Sequence, residues 1–318
     1  MMHPETEQAL ATIEVILEQK ISYSLPCHED SADFEPYFWE GDIQGEFTPL
    51  NLLQNESWII ETDPVVVIDS WLKLEQNCMA SDRIYLYDRD PANIRLDDHT
   101  LAQRNKYYCN LLDTLIDEIE DLQAFDCNFN TDYSLFIITG KIPENEQYFC
   151  LSTTVPQETP RYINDLIYCS PYIEQDGVLA KTRVSKTQRK IENIIDKLAK
   201  IQIYGYYPGG YCNVHDFRLF LNVAATKENT INRALIISSL VEVYKLKEFA
   251  KFGRGGWGFD RYSNNNEQYL INFLEKAFPE LLLYRFCFWD YEHLYILGNK
   301  GECDRVGISL HSQFTYNP

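Results

Sequence analysis

Apolar residues recur every three or four positions in four stretches of the chain, which is the spacing of one face of an α-helix. The stretches cover residues 5–20, 100–122, 186–203 and 266–278. In the second stretch this spacing joins Leu101, Tyr108, Leu111, Leu112, Leu115, Ile119 and Leu122. The pattern predicts four amphipathic helices, two in each half of the chain.

Shorter apolar runs predict the strands of an antiparallel sheet. Residues 34–40 alternate like a half-buried strand, and Pro36 favours a position at the edge of a sheet. Residues 135–139 and 148–155 flank a short polar turn, which is typical of a β-hairpin. These runs predict a sheet against which the amphipathic helices pack.

The end of the chain carries a second hairpin that is similar to the first. It comprises residues 294–297 and 306–310, and its first strand aligns with residues 135–141 at an offset of 159. Beyond the turn the offset becomes 157, a difference that a hairpin turn accommodates. The repeat predicts two diverged copies of one α+β unit, each an antiparallel sheet flanked by helices in an α/β/α sandwich. The alternative is that any helix followed by a hairpin gives a similar pattern.

The domain boundaries follow from this repeat and from a polar segment with two prolines at residues 155–160. We predict a first domain over residues 1–160, a linker over 161–184 and a second, diverged domain over 185–318. On this prediction residues 1–160 fold alone.

The charge of the chain is concentrated in its first half. The 318 residues are 45% hydrophobic and 14% aromatic, which excludes wholesale disorder, and the net charge is −20. Residues 1–160 hold 31 acidic and 8 basic side chains, whereas residues 161–318 hold 17 and 20. This balance argues against direct binding to nucleic acid or to an anionic membrane, since both need clustered Lys and Arg. The asymmetry also predicts different partners for the two halves.

Sequence features that report on location favour the cytoplasm. No window approaches 18 uncharged apolar residues, and the opening residues MMHPETEQAL contain neither a basic segment nor an apolar one. The nine cysteines are an odd number and form no CxxC pair. We therefore expect reduced thiols in a cytoplasmic protein.

Three segments of the first half, in the same order, carry a family resemblance. Residues 34–41 contain Phe-Glu followed by Trp-Glu-Gly, residues 65–72 read VVVIDSWL, and residues 151–155 read LSTTV. Taken together they resemble the cyanobacterial nuclease A inhibitor family, over about residues 5–156. The resemblance implies an antiparallel sheet with helices on both faces.

The resemblance also implies a function. Members of that family bind and block a sugar-non-specific nuclease that depends on a divalent metal, and an acidic side chain ahead of the Trp-Glu-Gly strand reaches the nuclease metal. Counting back from Trp39, this position is Glu29, with Asp30 beside it. The implied partner-binding residues are Glu29, Asp30, Trp39 and Glu40. No catalytic residue, cofactor or metal site of the chain's own is implied.

Physical chemistry supports that role for a carboxylate. Carboxylate oxygens are hard ligands that suit Mg²⁺, so Glu29 could stand in for a substrate phosphate. The acidic charge of residues 1–160 would steer the chain toward a basic nuclease cleft. The alternative is that acidic surfaces merely keep proteins soluble.

The chain departs from the family pattern within its first half, in its length and at the aligned positions of its second half. Residues 85–98 lack the Trp that the family has ahead of its long helix, and the chain continues for another 160 residues beyond the first hairpin. In the second copy Cys212 aligns with Glu29 and Asn222 aligns with Trp39. We therefore expect the second copy to have kept the fold and lost the contact with metal.

Other motifs favour structural roles. Residues 253–258 match GxGxxG but follow a probable helix, so a flexible loop is the better interpretation. Cys212 and His215 have a metal-like spacing without a convincing second pair. Residues 204–211 are rich in Tyr and favour a packed turn over a contact loop. Nothing in the chain indicates an enzyme.

Two functions from different classes remain. One is an inhibitory protein that occupies the active site of a metal-dependent nuclease. The other is a two-domain interaction or scaffold protein with the same fold and a different, basic protein partner. Glu29 distinguishes them, because the first function needs this carboxylate and the second does not.

Overall fold

The computed structural model describes residues 3–24, 31–77, 96–129, 134–155, 167–168, 184–206, 212–246, 265–288, 291–300 and 303–313. Helices and strands are both abundant in these residues, and the sheets that they form are antiparallel. The predicted α+β fold with antiparallel sheets is confirmed.

The elements of the first part of the chain run from a helix to a hairpin. They are α1 (Pro4–Leu17), β1 (Ser22–Ser24), β2 (Ser31–Asp33), β3 (Glu35–Trp39), α2 (Gly41–Gln44), α3 (Pro49–Asn55), β4 (Ile59–Thr62), α4 (Pro64–Asn77), α5 (Asp98–Glu118), β5 (Glu120–Cys127), β6 (Leu135–Ile142) and β7 (Gln147–Thr153).

The second part follows the same plan. Its elements are β8 (Ile167–Tyr168), α6 (Lys186–Lys197), β9 (Ile201–Tyr206), β10 (Cys212–Phe217), β11 (Leu219–Ala224), α7 (Lys227–Ile237), β12 (Val241–Leu246), α8 (Asn265–Ala277), β13 (Leu281–Phe288), β14 (Tyr291–Lys300) and β15 (Asp304–Gln313).

The predicted hairpins are present as β6–β7 and β14–β15. Two predicted helices, 100–122 and 186–203, end earlier than expected, at Glu118 and Lys197. The last residues of the two predicted helices, 120–122 and 201–203, belong instead to strands β5 and β9. The apolar residues of these strands continue the three- and four-residue spacing of the helices in the sequence.

The order of elements repeats along the chain. A helix, a strand pair, a third strand, a helical segment, a strand, a helical segment and three strands occur first from α1 to β7 and again from α6 to β15. The helical segments are α2–α3 and α4–α5 in the first stretch and, among the described residues, α7 and α8 in the second. We call the two stretches the first and second repeat, a name that refers to the order of elements alone. Helices α3 and α7 also begin alike. The Thr48 side chain accepts a hydrogen bond from Asn51 N at 3.1 Å, and the Thr226 side chain accepts one from Asn229 N at 3.2 Å, as N-cap residues do.

The two repeats exchange their third strands. One large sheet has the order β11-β7-β6-β5-β4, and the other has the order β3-β15-β14-β13-β12-β8. Thus β3 pairs with β15, where Trp39 lies opposite Arg305, and β11 pairs with β7, where Leu219 lies opposite Thr153. Each sheet therefore contains one strand from the other repeat.

We call residues 4–39 the first arm and residues 186–224 the second arm. The sheet strands β4–β7 with α4 and α5 form the first body, and β12–β15 with α8 form the second body. The first arm packs on the second body through α1, and the second arm packs on the first body through α6.

Matching hydrogen bonds hold the helix of each arm on its body. Thr6, in the first turn of α1, donates a hydrogen bond to Asp304 Oδ2 at 3.2 Å, and Gly41 N donates to Asp304 Oδ1 at 3.1 Å. In the first turn of α6, Thr187 N donates to Glu144 Oε1 at 3.3 Å, and the Thr187 hydroxyl lies 2.9 Å from Glu144 Oε1 and 2.8 Å from Glu118 Oε2. Both threonines are buried, so each arm is fixed at the turn between the last two strands of the other repeat's body.

The two large sheets enclose a shared core. Helices α3 and α7 lie in this core between the sheets, and its larger buried side chains include Trp39, Phe47, Leu52, Trp58, Ile137, Leu235, Phe286 and Tyr295. Helices α4, α5 and α6 cover the other face of the first sheet, while α1 and α8 cover the other face of the second. The layers therefore alternate between helices and sheets.

Two further observations bear on the sequence-based predictions. Strands from opposite sides of the predicted boundaries at 160 and 185 pair with each other, β3 with β15 and β7 with β11. That residues 1–160 fold alone stays a prediction. Among the described residues no helix has the length and apolarity needed to cross a bilayer.

Candidate partner-binding surface

Glu29 and Asp30, on which the predicted inhibitor site depends, lie outside the described residues. The strands on either side are described, and they form the β1–β2 hairpin of the first arm, in which Ser24 pairs with Ser31. The two predicted carboxylates therefore belong to a connection between two paired strands.

Local contacts stabilise this hairpin. Ser22 donates a 2.5 Å hydrogen bond to Asp33, and Lys20 forms an ion pair with the same carboxylate at 3.0 Å. These two partners, Ser22 first, lower the pKa of Asp33. Phe34 N also donates to Ile21 O at 3.0 Å. The base of the connection is thus well defined.

Trp39 does not lie on the surface, so its predicted contact with a partner is corrected. Its side chain is fully buried, its Nε1 donates a hydrogen bond to Gly45 O at 2.8 Å, and its ring packs edge-on against Phe47 at 5.2 Å. The chain turns back through α2 and covers the strand at this point. Trp39 therefore stabilises the shared core.

Glu40 keeps part of its surface. It is half-buried and directly precedes α2. Its backbone N–H donates to Gln44 Oε1 at 2.8 Å, which fixes the start of that helix. Of the four predicted residues, Glu40 is the one that the structure describes as partly accessible.

Many of the exposed carboxylates of the first 160 residues lie on or beside α3, β4, α4, α5, β5 and the β6–β7 turn. They include Glu46, Glu56, Glu61, Asp63, Asp69, Asp97, Asp98, Asp113, Asp117, Glu120, Asp121, Glu144 and Glu146. Because they far outnumber the basic side chains of these residues, their summed field favours cationic partners.

An apolar patch lies within this acidic surface. Strand β4 is the last strand of its sheet, and no other described strand pairs with its outer edge. Ile60 on this strand is 63% exposed, and Val65 and Val66 in the first turn of α4 are 44% and 48% exposed. Exposed apolar side chains with a polar rim are typical of a protein-binding surface.

A histidine pair lies at the other large sheet. His293 and His311 are opposite each other on β14 and β15, with their Nδ1 atoms in hydrogen-bond contact. His293 is buried beside Trp58 and Phe129, and its Nε2 has no hydrogen-bond partner among the described residues. Burial, and then the charge of His311, lowers the pKa of His293 to about 3. One shared proton between the two Nδ1 atoms satisfies this geometry.

Two buried ion clusters have structural roles. Arg285 donates to Glu242 at 2.9 Å and to Glu292, and all three side chains are buried on one face of the second sheet. Arg104 makes two 2.7 Å hydrogen bonds to Glu75, which joins α4 to α5. Glu242 and Glu292 share one guanidinium, whereas Glu75 and Arg104 pair one to one. Because all of these side chains are buried, the clusters present no charge to solvent.

A cleft of about 690 Å³ lies at the first turn of α6 and is lined by Lys186, Arg189 and Lys190. The Glu144 carboxylate already accepts hydrogen bonds from the backbone N and the hydroxyl of Thr187, so this end of the helix is satisfied within the chain. No group of three or more His, Cys, Asp or Glu residues in the described part of the chain is placed to hold a metal ion.

Sequence reasoning missed the open edge of β4 and the histidine pair. The register of the predicted second hairpin, with Leu294 opposite Leu310, also places His293 opposite His311, so this pair could have been found. The open edge of β4 could not have been found, because the sequence does not show which strand lies at the edge of the sheet.

Comparison of the chain with protein-family models, with curated proteins and with solved structures found no match.

Proposed function

We propose that the chain is a protein-binding inhibitor of a metal-dependent, sugar-non-specific nuclease. In this proposal Glu29, with Asp30 beside it, enters the nuclease cleft, and a carboxylate occupies the metal position that a substrate phosphate would otherwise take. Carboxylate oxygens suit Mg²⁺, and the partner supplies the metal.

The observation that carries the proposal is the pairing of Ser24 with Ser31, which makes the acidic connection the link between two strands of a fixed arm. The arm is held by five residue pairs between β3 and β15 and by the Thr6–Asp304 hydrogen bond. An arm that is already packed on the rest of the chain costs less entropy on binding than one that must be ordered.

The acidic surface supports the same proposal through association kinetics. The exposed carboxylates of the first 160 residues favour encounter with a basic cleft, and this steering weakens as salt screens charges beyond about 10 Å at 0.1 M ionic strength.

Digestion of plasmid DNA by a purified nuclease of this class, in Mg²⁺ and at rising concentrations of the full chain, tests the proposal. We expect digestion to slow at micromolar protein or below, and the slowing to weaken between 0.05 and 0.5 M salt. The variant Glu29→Gln should need at least about 30-fold more protein, since loss of the charged ligand costs roughly 2–5 kcal/mol. Undiminished digestion at micromolar wild-type protein would contradict inhibition.

The second candidate is an interaction protein without inhibitory activity. The exposed apolar side chains at β4 favour it, because a protein-binding surface there needs no contact with a metal. Undiminished digestion, together with capture of a basic protein, would support this second function.

A further inference from the structure

We propose that the open edge of β4 binds an extended, basic segment of a partner protein by β-strand addition, independently of nuclease inhibition. Strand β4 belongs to the first body, whereas β1 and β2, which flank Glu29 in the chain, belong to the first arm, and this arm packs on the second body.

The second repeat provides an internal precedent. Its strand β12 occupies the position that β4 occupies in the first repeat, next to β13 as β4 is next to β5. On its outer edge β12 pairs antiparallel with β8, with Tyr244 opposite Tyr168 and Lys245 opposite Ile167. The same edge of this fold therefore accepts an added strand, and in the first repeat no described strand fills it.

The backbone of β4 has hydrogen-bonding groups available for such a strand. Asn128 N donates to Trp58 O at 3.0 Å, so the pair just before β4 is a hydrogen-bonded pair. Such pairs alternate along an antiparallel ladder, which directs the N–H and C=O groups of Ile59 and Glu61 away from β5. An added strand would bond to these two residues.

The side chains around this edge specify a basic partner. Ile60 is exposed, Glu56, Glu61 and Asp63 are exposed beside it, and residues 41–72 contain six acidic side chains and no Lys or Arg. A strand with negative side chains would be repelled here, whereas Lys or Arg opposite Glu61 would form a favourable cross-strand pair.

The partner segment follows from this geometry. Strand β4 has four residues, so the added strand is short, and successive side chains alternate between the two faces. Lys or Arg would lie opposite Glu61, and an aliphatic residue would lie opposite Ile60. The recognised segment therefore alternates basic and aliphatic residues.

An eight-residue peptide of alternating Lys and Val, with blocked ends, tests the proposal when titrated against the full chain. The variant Glu61→Pro removes an outward N–H without removing a bond to β5, and it should weaken binding at least tenfold. Glu61→Gln keeps the N–H and should weaken binding two- to fivefold. Ile60→Lys, which leaves the backbone intact, should also weaken binding at least tenfold and provides a readout if the proline variant does not fold.

Three controls decide the outcome. A Glu-Val peptide should not bind, whereas Glu14→Gln on α1 and Glu29→Gln should each bind the Lys-Val peptide like the wild type. Amide exchange at Ile59 and Glu61 should be fast in the free chain and slow with the peptide bound. Equal affinity for both peptides, unchanged binding by Glu61→Pro and Ile60→Lys, or slow exchange in the free chain would overturn the proposal.

Discussion

At the scale of single residues, the buried histidine pair makes the stability of the chain depend on pH. His293 has a pKa of about 3 in the folded chain and an ordinary value of about 6.5 when unfolded. Between these values the unfolded chain binds the extra proton, so the free energy of unfolding rises with pH in this window. The stabilisation is complete above about pH 6.5 and is lost as the pH falls toward 3.

We expect His293→Phe to remove the part of this dependence that belongs to His293, while His311, whose pKa burial also lowers, keeps its own. Phe keeps an aromatic ring beside Trp58 and Phe129, which pack against His293 at ring distances of 4.6 and 4.5 Å. From pH 7 to pH 5 the wild type should lose up to about 2 kcal/mol of unfolding free energy more than the variant, at a limit of about 1.4 kcal/mol per pH unit. Urea unfolding at each pH measures this. The exposed His3→Gln serves as the control, and parallel pH curves for wild type and His293→Phe would contradict the account.

At the scale of elements, a buried hydrogen bond at the start of α1 contributes to holding the first arm on the second body. Thr6→Val keeps the shape of the side chain and removes the donor to Asp304 Oδ2. A buried hydrogen bond to a charged group contributes about 1.5–3 kcal/mol, so the variant should lose a similar amount of unfolding free energy. Urea unfolding measures the loss.

Thr12→Val on the same helix is the matched control. The Thr12 hydroxyl donates to Gln8 O at 2.8 Å in an exposed position, and its removal should change stability by less than about 0.5 kcal/mol. Equal effects of the two substitutions would show that the bond to Asp304 does not hold the arm.

The elements also show which parts of the fold the sequence could predict. Helices and hairpins follow from local spacing, so α5, α6, α8 and the two hairpins were found within a few residues of their observed ends. The partner of β3 was not, because β7 and β15 are the last strands of equivalent hairpins and offer similar edges. When β3 pairs with β15, Trp39 and Tyr37 pack in the shared core. Packing between distant parts of the chain cannot be predicted from the local sequence.

The same limit applies to the candidate site. Residue type and spacing lead to Glu29, Asp30 and Glu40, because acidic chemistry is visible in sequence. Alternation along residues 34–40 indicated a half-buried strand, but it could not show that α2 and Phe47 cover Trp39 completely. Burial of that ring depends on the path of the chain beyond the strand.

At the scale of the whole molecule, the exchanged arms make each body depend on the other repeat. The second arm buries Ile191, Ile194, Leu198, Phe217 and Leu219 in the core of the first body. At about 1.5–3 kcal/mol for each apolar side chain, their loss equals most or all of the 5–15 kcal/mol that stabilises a typical domain. We therefore expect the two bodies to unfold together.

Separate production of residues 1–160 and 161–318 tests this dependence. Neither piece should give a stable monomer with a cooperative transition, whereas their mixture should form a 1:1 complex with the stability of a folded domain. Light scattering and calorimetry measure both properties. A cooperative, monomeric 1–160 would instead support the domain boundaries predicted from the sequence.

The proposed inhibitor places a carboxylate of the first arm on the metal of a nuclease, and titration calorimetry of the full chain with such a nuclease measures this contact. In Mg²⁺ we expect Glu29→Gln to raise Kd at least about 30-fold, while Glu14→Gln, which removes the same charge from an exposed position on α1, changes it less than threefold. In EDTA the difference between wild type and Glu29→Gln should vanish. Equal Kd values for the wild type and Glu29→Gln in Mg²⁺, or a difference that persists in EDTA, would contradict the account.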